Sequence, residues 1–541
     1  MEKRTLLAIA ISMGIILLWW KIFPPPQPAP PPPASQPAAT APASGGNASA
    51  AAPGVPAGAA AAQGPEQLTT LKTPGAHYLL SSRGGVLREV LLTEERFLKD
   101  KKNPDSGLPM MGVTRQDIGS FALTVPKADF ALPGGPWVVS QPDASSVVYR
   151  AENDQIAVEK RYRLSGSFAL ALDVVIENKT DRALNGNLAV HVYGRQDPAN
   201  KGGGFFTGEG NISSMVCFVA DSPERATVEE LAKKPNEFSG QVNWVAADTK
   251  YFAVAVVPHP SLVGERRCGT RLIDGEHGEA YLALAPRTIN AGAKDAYPFS
   301  LYAGPKYREA LDAVKPGGFE PQLDKVVDVM LAVLSRPLLF LLKLFHGWVG
   351  NWGIAIIMLT FFVKLLTLYP THRAMMSGKK MQRLAPKMQE LRKKFENDRQ
   401  RLGVETMNLY KQNGVSPLGG CLPSLITMPI WMALFSTLNY AVELYRAPFF
   451  LYIHDLSARD PYFITPLIMG GIMFAQMRMT PAGVDPAQQK MMTIMMPLMF
   501  TAFSLFLAAG LAIYTLTNSA LSIVQQIVIN RMDVKRHGPL T

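Results

Sequence analysis

Cysteine is almost missing from this chain, with three in 541 residues: Cys217, Cys268 and Cys421. So few thiols exclude a disulfide scaffold and a zinc site built from clustered cysteines. Cys217 and Cys268 would pair if they fell on facing strands in an oxidising compartment, which the sequence leaves open. Cys421 stands at the mouth of an apolar run and reads as packing. Charge is absent altogether from residues 22–65, a stretch rich in Pro, Ala, Gly and Ser. Such a segment cannot bury enough apolar surface to fold, so 24–66 reads as a semi-extended linker. Acidic residues become scarce beyond residue 320, where 22 Lys+Arg face 11 Asp+Glu, whereas residues 1–320 balance 32 against 32. The whole surplus of +11 therefore lies in the C-terminal region, together with 19 of the 24 methionines. Positive charge placed between apolar runs suits cytoplasmic loops of a membrane domain rather than a nucleic-acid-binding fold, and no specific DNA partner is expected. The membrane half shows no phosphate-binding glycine loop, no metal-ligand cluster and no nucleophile triad. Neither a cofactor, nor a metal, nor an enzymatic activity is expected.

Residues 1–23 combine Lys3 and Arg4 with an apolar run ending in Trp19-Trp20-Lys21. A Trp pair and a Pro run follow where a small-x-small cleavage site should soon come, so the segment reads as an uncleaved anchor with its N-terminus inside. From 67 to 320 short β-like runs alternate with Gly, Pro, Asn and Asp, as at 147–151, 155–164, 168–176, 187–193, 251–258 and 280–284. This pattern predicts a large all-β sandwich. His191, His259 and His277 are scattered without catalytic spacing and read as structural or exposed. A sugar-binding or sugar-modifying domain on a membrane anchor stays a weaker alternative, under which deleting most of 67–310 would abolish function. Residues 321–350 begin amphipathic and meet Pro337, which predicts an interfacial helix feeding the next span.

That span, 351–370, is about 28 Å long as a helix. It carries Lys364 inside its apolar run. An ammonium at such depth costs at least about 2.5–3.5 kcal/mol, so it normally faces a polar cavity or a partner. One turn away lie Thr360 and Thr367, and the three form a polar stripe. In the last span Tyr514, Asn518, Ser522, Gln525 and Gln526 share one helix face, flanked by Thr515. A hydrated concavity, routine interhelical hydrogen bonds and a lysine snorkelling to the inner surface all remain compatible with these residues.

Residues 371–418 form the most basic segment, with 11 Lys+Arg against 4 Asp+Glu. Met381, Leu384, Met388, Leu391 and Phe395 recur at spacings of three and four, which predicts a helical hairpin whose basic face suits ribosomal RNA or anionic lipid. Four further spans are expected at 421–442, 462–477, 492–508 and 511–529. With the N-terminus inside, six spans place the β domain outside and every basic loop and the C-terminal tail inside. Met469 and Met473 belong to a methionine series that is usually core filler, or an adaptable apolar surface.

Four stretches then carry a resemblance: VGNWG (349–353), SPLGGCLPSLITMPI (416–430), FLYIHDLSARDPYFITP (450–466) and DPAQQKMM (485–492). With the order of anchor, β domain and five spans, the chain resembles the YidC family of Gram-negative membrane protein insertases, within the wider Oxa-type family. The resemblance implies a polytopic α-helical protein of the inner membrane, with six transmembrane helices, five of them (351–541) forming the core. It implies a periplasmic β-supersandwich and a hydrophilic groove open to cytoplasm and lipid. Groove residues would be Lys364, where the family usually has arginine, with Thr360, Thr367, Tyr514, Thr515, Asn518, Ser522 and Gln525. Apolar client contacts would be Met428, Met469 and Met473. Nascent membrane proteins, the Sec translocon, ribosomes and anionic lipids are the partners so implied. The competing reading is a channel or transporter with these polar faces as its pore.

Overall fold

The computed structural model describes residues 65–537 apart from 101, 104–105, 135–136, 198–211, 328, 330, 396–397, 415–421 and 480–490. The expected anchor at 1–23, nearly all of the linker, and Cys421 lie outside the described residues. Alternation of apolar and polar side chains puts successive residues on opposite faces of a strand. Accordingly Ile156–Leu164, Ala169–Asn178 and Lys294–Pro305 pair antiparallel within a nine-stranded sheet. A five-stranded sheet contains Ala189–Arg195, His277–Ala283 and Arg266–Leu272. The inner faces of both sheets form one core, in which Trp244 stacks on Phe218. Cys217 on Ser214–Val219 and Cys268 on Arg266–Leu272 form a disulfide that ties the larger sheet to the smaller. Such a bridge belongs to an oxidising compartment.

Beyond the β domain the described chain is helical. The helices are α1 (Ala332–Val349), α2 (Trp352–Arg383), α3 (Ala385–Lys394), α4 (Arg399–Gln412), α5 (Leu422–Tyr440), α6 (Ile464–Met479), α7 (Met496–Ser504) and α8 (Ala509–His537). In α1 the buried residues Ser335, Leu338, Leu342 and Phe345 fall on one stripe, while Val333, Phe340 and Trp348 are exposed. Pro337 was expected to interrupt this segment. The helix instead starts late, after Leu331 in the left-handed region, and carries Pro337 inside it. Gly350, also left-handed, ends α1 by donating to the His346 carbonyl at 2.7 Å. Gly353 lies in the first turn of α2, and a Cβ there would collide with the Phe449 ring. These two glycines explain the VGNWG turn.

Pro370 does not end α2, which continues to Arg383. The basic hairpin is thus carried by the end of α2 with α3 and α4. Leu384 and Met388 are buried, and the Thr406 hydroxyl on α4 meets the Met388 sulfur at 3.6 Å. The expected count of six spans is not reached among the described residues. By length and composition three helices can cross a membrane alone: Ala332–Val349, Trp352–Met381 and Ala509–Lys535. The segment expected at 462–477 starts only at Ile464, because Asp460 accepts from the Thr465 amide (2.7 Å) and hydroxyl (2.6 Å). The segment expected at 492–508 is split between a π turn, Met491–Met495, and the short α7.

Candidate functional site

Helices α2 and α8 pack along much of their length. Where they meet, the Lys364 ammonium donates to the Ser522 hydroxyl at 2.7 Å, and that hydroxyl donates to the Asn518 carbonyl at 2.8 Å. One turn further along, the Gln525 amide donates to Thr371 at 3.1 Å. At the basic end Arg383 on α2 meets the buried Asp533 on α8 at 3.0 Å. Ser522 is the one partner of the Lys364 ammonium among the described residues, and the lysine is only half-buried. An ammonium has three donors. Two N–H groups of Lys364 therefore have no acceptor among the described residues.

A cavity of about 590 Å³ lies along this seam. Lys364, Gln525 and His372 give it a polar side, and Phe361, Leu365, Leu368, Val524 and Val528 give it an apolar one. The buried side-chain oxygen of Gln525 accepts no hydrogen bond. While the Gln525 oxygen is itself closed off from it, the cleft holds a cation with donors to spare. It can take a chain segment that brings an acid, a hydroxyl or a backbone amide together with apolar side chains.

The other residues expected to line a groove are arranged differently. Thr360 and Thr367 are buried, and their hydroxyls donate back to the Ile356 and Val363 carbonyls at 2.7 and 2.9 Å. Thr515 does the same to Leu511 at 2.8 Å. Such back-bonding is how a hydroxyl satisfies itself in a helix without any partner. Tyr514 is buried in the apolar core with Ile356 and Leu359. Met469 is buried, Met473 half-buried and Met428 exposed. Structure thus brings together Lys364, Ser522, Asn518 and Gln525, and adds Thr371 and His372. Thr371 follows Thr367 by one turn, a signal visible once the helix is allowed to pass Pro370.

The β domain carries its own polar cluster, and it is closed. His191 and Glu279, both fully buried, meet at 2.6 Å. Tyr193 donates to the same carboxylate at 3.0 Å, and Arg271 holds its other oxygen. Burial opposes the charge on Glu279, yet His191 and Arg271 hold its carboxyl below the ordinary value. With Thr124 at 2.7 Å on the far nitrogen of His191, no side remains open to a sugar. Lys160 is fully buried as well and donates to the carbonyls of Gly84, Gly85 and Phe121 at 2.8, 2.9 and 2.8 Å. Among the described residues no group of three or more His, Cys, Asp or Glu is placed to hold a metal.

Two family descriptions match the chain: YidC periplasmic domain over residues 68–341 and 60Kd inner membrane protein over 344–536. Membrane protein insertase YidC of Anaeromyxobacter sp. (strain K) is 39% identical, over 97% of this chain and 96% of that protein. The protein of the same name from Citrifermentans bemidjiense is 34% identical, over 98% and 99%. Among solved structures, an active YidC insertase crystal structure with its first transmembrane domain resolved is similar with 16% identity and a TM-score of 0.36, covering 84% of this chain and 91% of that one.

Proposed function

The chain belongs to the YidC family of membrane protein insertases, and from that premise we propose that it inserts its clients by way of the cleft between α2 and α8. It is a non-enzymatic insertase of the inner membrane with a β-rich periplasmic domain, and its clients are nascent membrane proteins. The channel or transporter reading finds no support among these relatives.

The observation that carries the cleft reading is Lys364: a cation within an apolar helix, with a hydroxyl and no carboxylate for its partner among the described residues, on the wall of a large open cavity. A polar client segment must cross an apolar layer about 30 Å thick. Lys364 and Gln525 supply a charge and hydrogen-bond partners part of the way across, shortening the apolar distance that remains. An acidic residue in that segment is drawn toward the ammonium. Movement of one elementary charge through 100 mV adds about 2.3 kcal/mol. The client's own apolar helix then partitions into lipid at roughly −0.3 to −0.6 kcal/mol per good residue. No nucleotide is needed for such a step.

In the fuller proposal both termini are cytoplasmic and six spans are completed by the anchor. The basic faces of α3, α4 and the C-terminal tail meet the ribosome and anionic lipid, and the Sec translocon is a partner for larger clients. The test of the cleft is replacement of Lys364 by Arg, Ala and Glu in cells depleted of their own insertase, with growth and insertion of a small two-span client as readouts. Arg is expected to work and Glu to fail. Ala and Glu both performing like the parent would sink the charged-cleft reading.

A further inference from the structure

We propose that the crevice where the β domain meets α1 and the end of α5 binds an anionic phospholipid of the periplasmic leaflet by its phosphate. A cavity of about 300 Å³ opens there, apart from the α2–α8 cleft. Its apolar wall includes Ala332 and Leu339 of α1 and Val442 beyond α5. Among its described lining side chains four are cationic, Lys306, Arg308, Lys325 and Arg336, against the acids Asp324 and Glu443.

Lys306 is held by the buried Asp248 at 2.7 Å, and the two arginines are the cations arranged for an oxyanion. Arg308, on a short helical turn of the β domain, and Arg336, on α1, both reach one oxygen of Asp324, at 3.5 and 2.8 Å. Arg308 also touches Asp312 at 3.4 Å. Their side chains keep 31% and 46% of their surface exposed, so both retain N–H donors for an incoming group. Two guanidinium forks around one small space match the geometry of a phosphate better than that of a point cation.

The surroundings select a lipid as the source of that phosphate. α1, which lines the crevice with Ala332 and Leu339, exposes Val333 and Phe340 next to them in sequence and Trp348 near its far end, an apolar face with an indole as at a membrane interface. The space accommodates a glycerophosphate headgroup but not a turn of helix with its side chains. Acyl chains would leave along Leu339 and the outer face of α1. A bound headgroup would also cross-link the β domain to the core, since Arg308 and Arg336 come from the two sides of that junction.

The test uses the full chain in neutral detergent, with bound lipid counted by native mass spectrometry during titration with phosphatidylglycerol or phosphatidylcholine. Two variants are compared with the parent: R308Q/R336Q removes the forks, and Leu339→Trp fills the apolar wall while leaving every cation. Phosphatidylglycerol is expected to bind at least about tenfold more weakly to the double variant, and more weakly to Leu339→Trp. Phosphatidylcholine should bind the parent no better than the variants. Where the double variant also loses thermal stability without lipid, Leu339→Trp alone decides. Equal retention of phosphatidylglycerol by Leu339→Trp and parent overturns the proposal. So does phosphatidylcholine binding as tightly as phosphatidylglycerol. Displacement of the lipid by millimolar inorganic phosphate would make this a free-anion site and overturn it too.

Discussion

Lys160 in the β domain and Lys364 in α2 are both lysines drawn out of water, and the two regions treat them in opposite ways. The β domain surrounds Lys160 with three carbonyl oxygens, one for each N–H of its ammonium. Nothing is left over to bind a ligand. The helical region gives Lys364 one hydroxyl and a cavity. Glu279 is enclosed in the same way as Lys160, by His191, Tyr193 and Arg271. The sandwich completes these two buried charges, since a buried polar group left unpaired costs about 1–3 kcal/mol, although Arg83 Nε, Arg266 Nε and Thr270 Oγ1 find no hydrogen-bond partner among the described residues. A membrane domain that handles polar segments has to leave some incomplete, so that a client can complete them. The presence of a buried charge therefore says little about function. Its unused hydrogen-bonding capacity says more.

The comparison is most sharply tested by Lys160→Ala, which takes the ammonium from the Gly84 and Phe121 carbonyls, Gly85 keeping the Tyr162 hydroxyl at 2.7 Å, and leaves a cavity behind. We expect a loss of at least about 3 kcal/mol in β-domain stability, measured by urea unfolding with proteolysis of the opened domain, while client insertion stays near the parent level. An insertion defect as deep as that of Lys364→Glu, in cells where the protein accumulates normally, would erase the distinction between the two lysines. Next in size is Lys364→Glu, expected to lower insertion of an acidic-headed client at least about tenfold, with Lys364→Arg within a few-fold of the parent and β-domain unfolding unmoved in both.

A third test reads the titration of Lys160. Burial pushes its pKa down to about 7, below its value in the unfolded chain, near 10.4. Between these values the unfolded chain binds more protons than the folded one, so this group makes stability rise with pH from about 7 toward 10. The slope is at most one proton, about 1.4 kcal/mol per pH unit. Lys160→Met should flatten it, and an unchanged pH profile would refute the assignment. The smallest effect is expected of Ser522→Ala, which takes away the hydroxyl partner of Lys364. A hydrogen bond between membrane helices averages about 0.6 kcal/mol, so insertion should change by about threefold. Ser522→Thr, which keeps a hydroxyl, should restore it.

Much of this was legible without coordinates. The strands around 155–164 and 168–176 announce themselves by alternation, and Lys364 by the expense of a charge in an apolar run. Lys160 was legible only in part. It shares the inward phase of its strand with Val158 and Tyr162, yet a lysine at such a position reads as solvent-facing until three carbonyls are found around it. The threonines show the reverse. Thr360 and Thr367 look like groove lining by type and spacing, but a helix lets a hydroxyl bond its own preceding turn, and they do so.

Order along the chain, hydropathy period and charge asymmetry determined by themselves that a β domain precedes a basic helical membrane region, because these properties belong to each segment alone. Tertiary structure decided what meets across segments. It paired Cys217 with Cys268, joined Lys364 to Ser522 over 158 positions, and docked Tyr445 against Phe97, Tyr251 and Phe252. It also carried α1 and α2 through their prolines. Contacts of that kind depend on register and packing between distant elements, which no local pattern encodes. Only the folded chain shows which polar groups are satisfied and which remain available to a client.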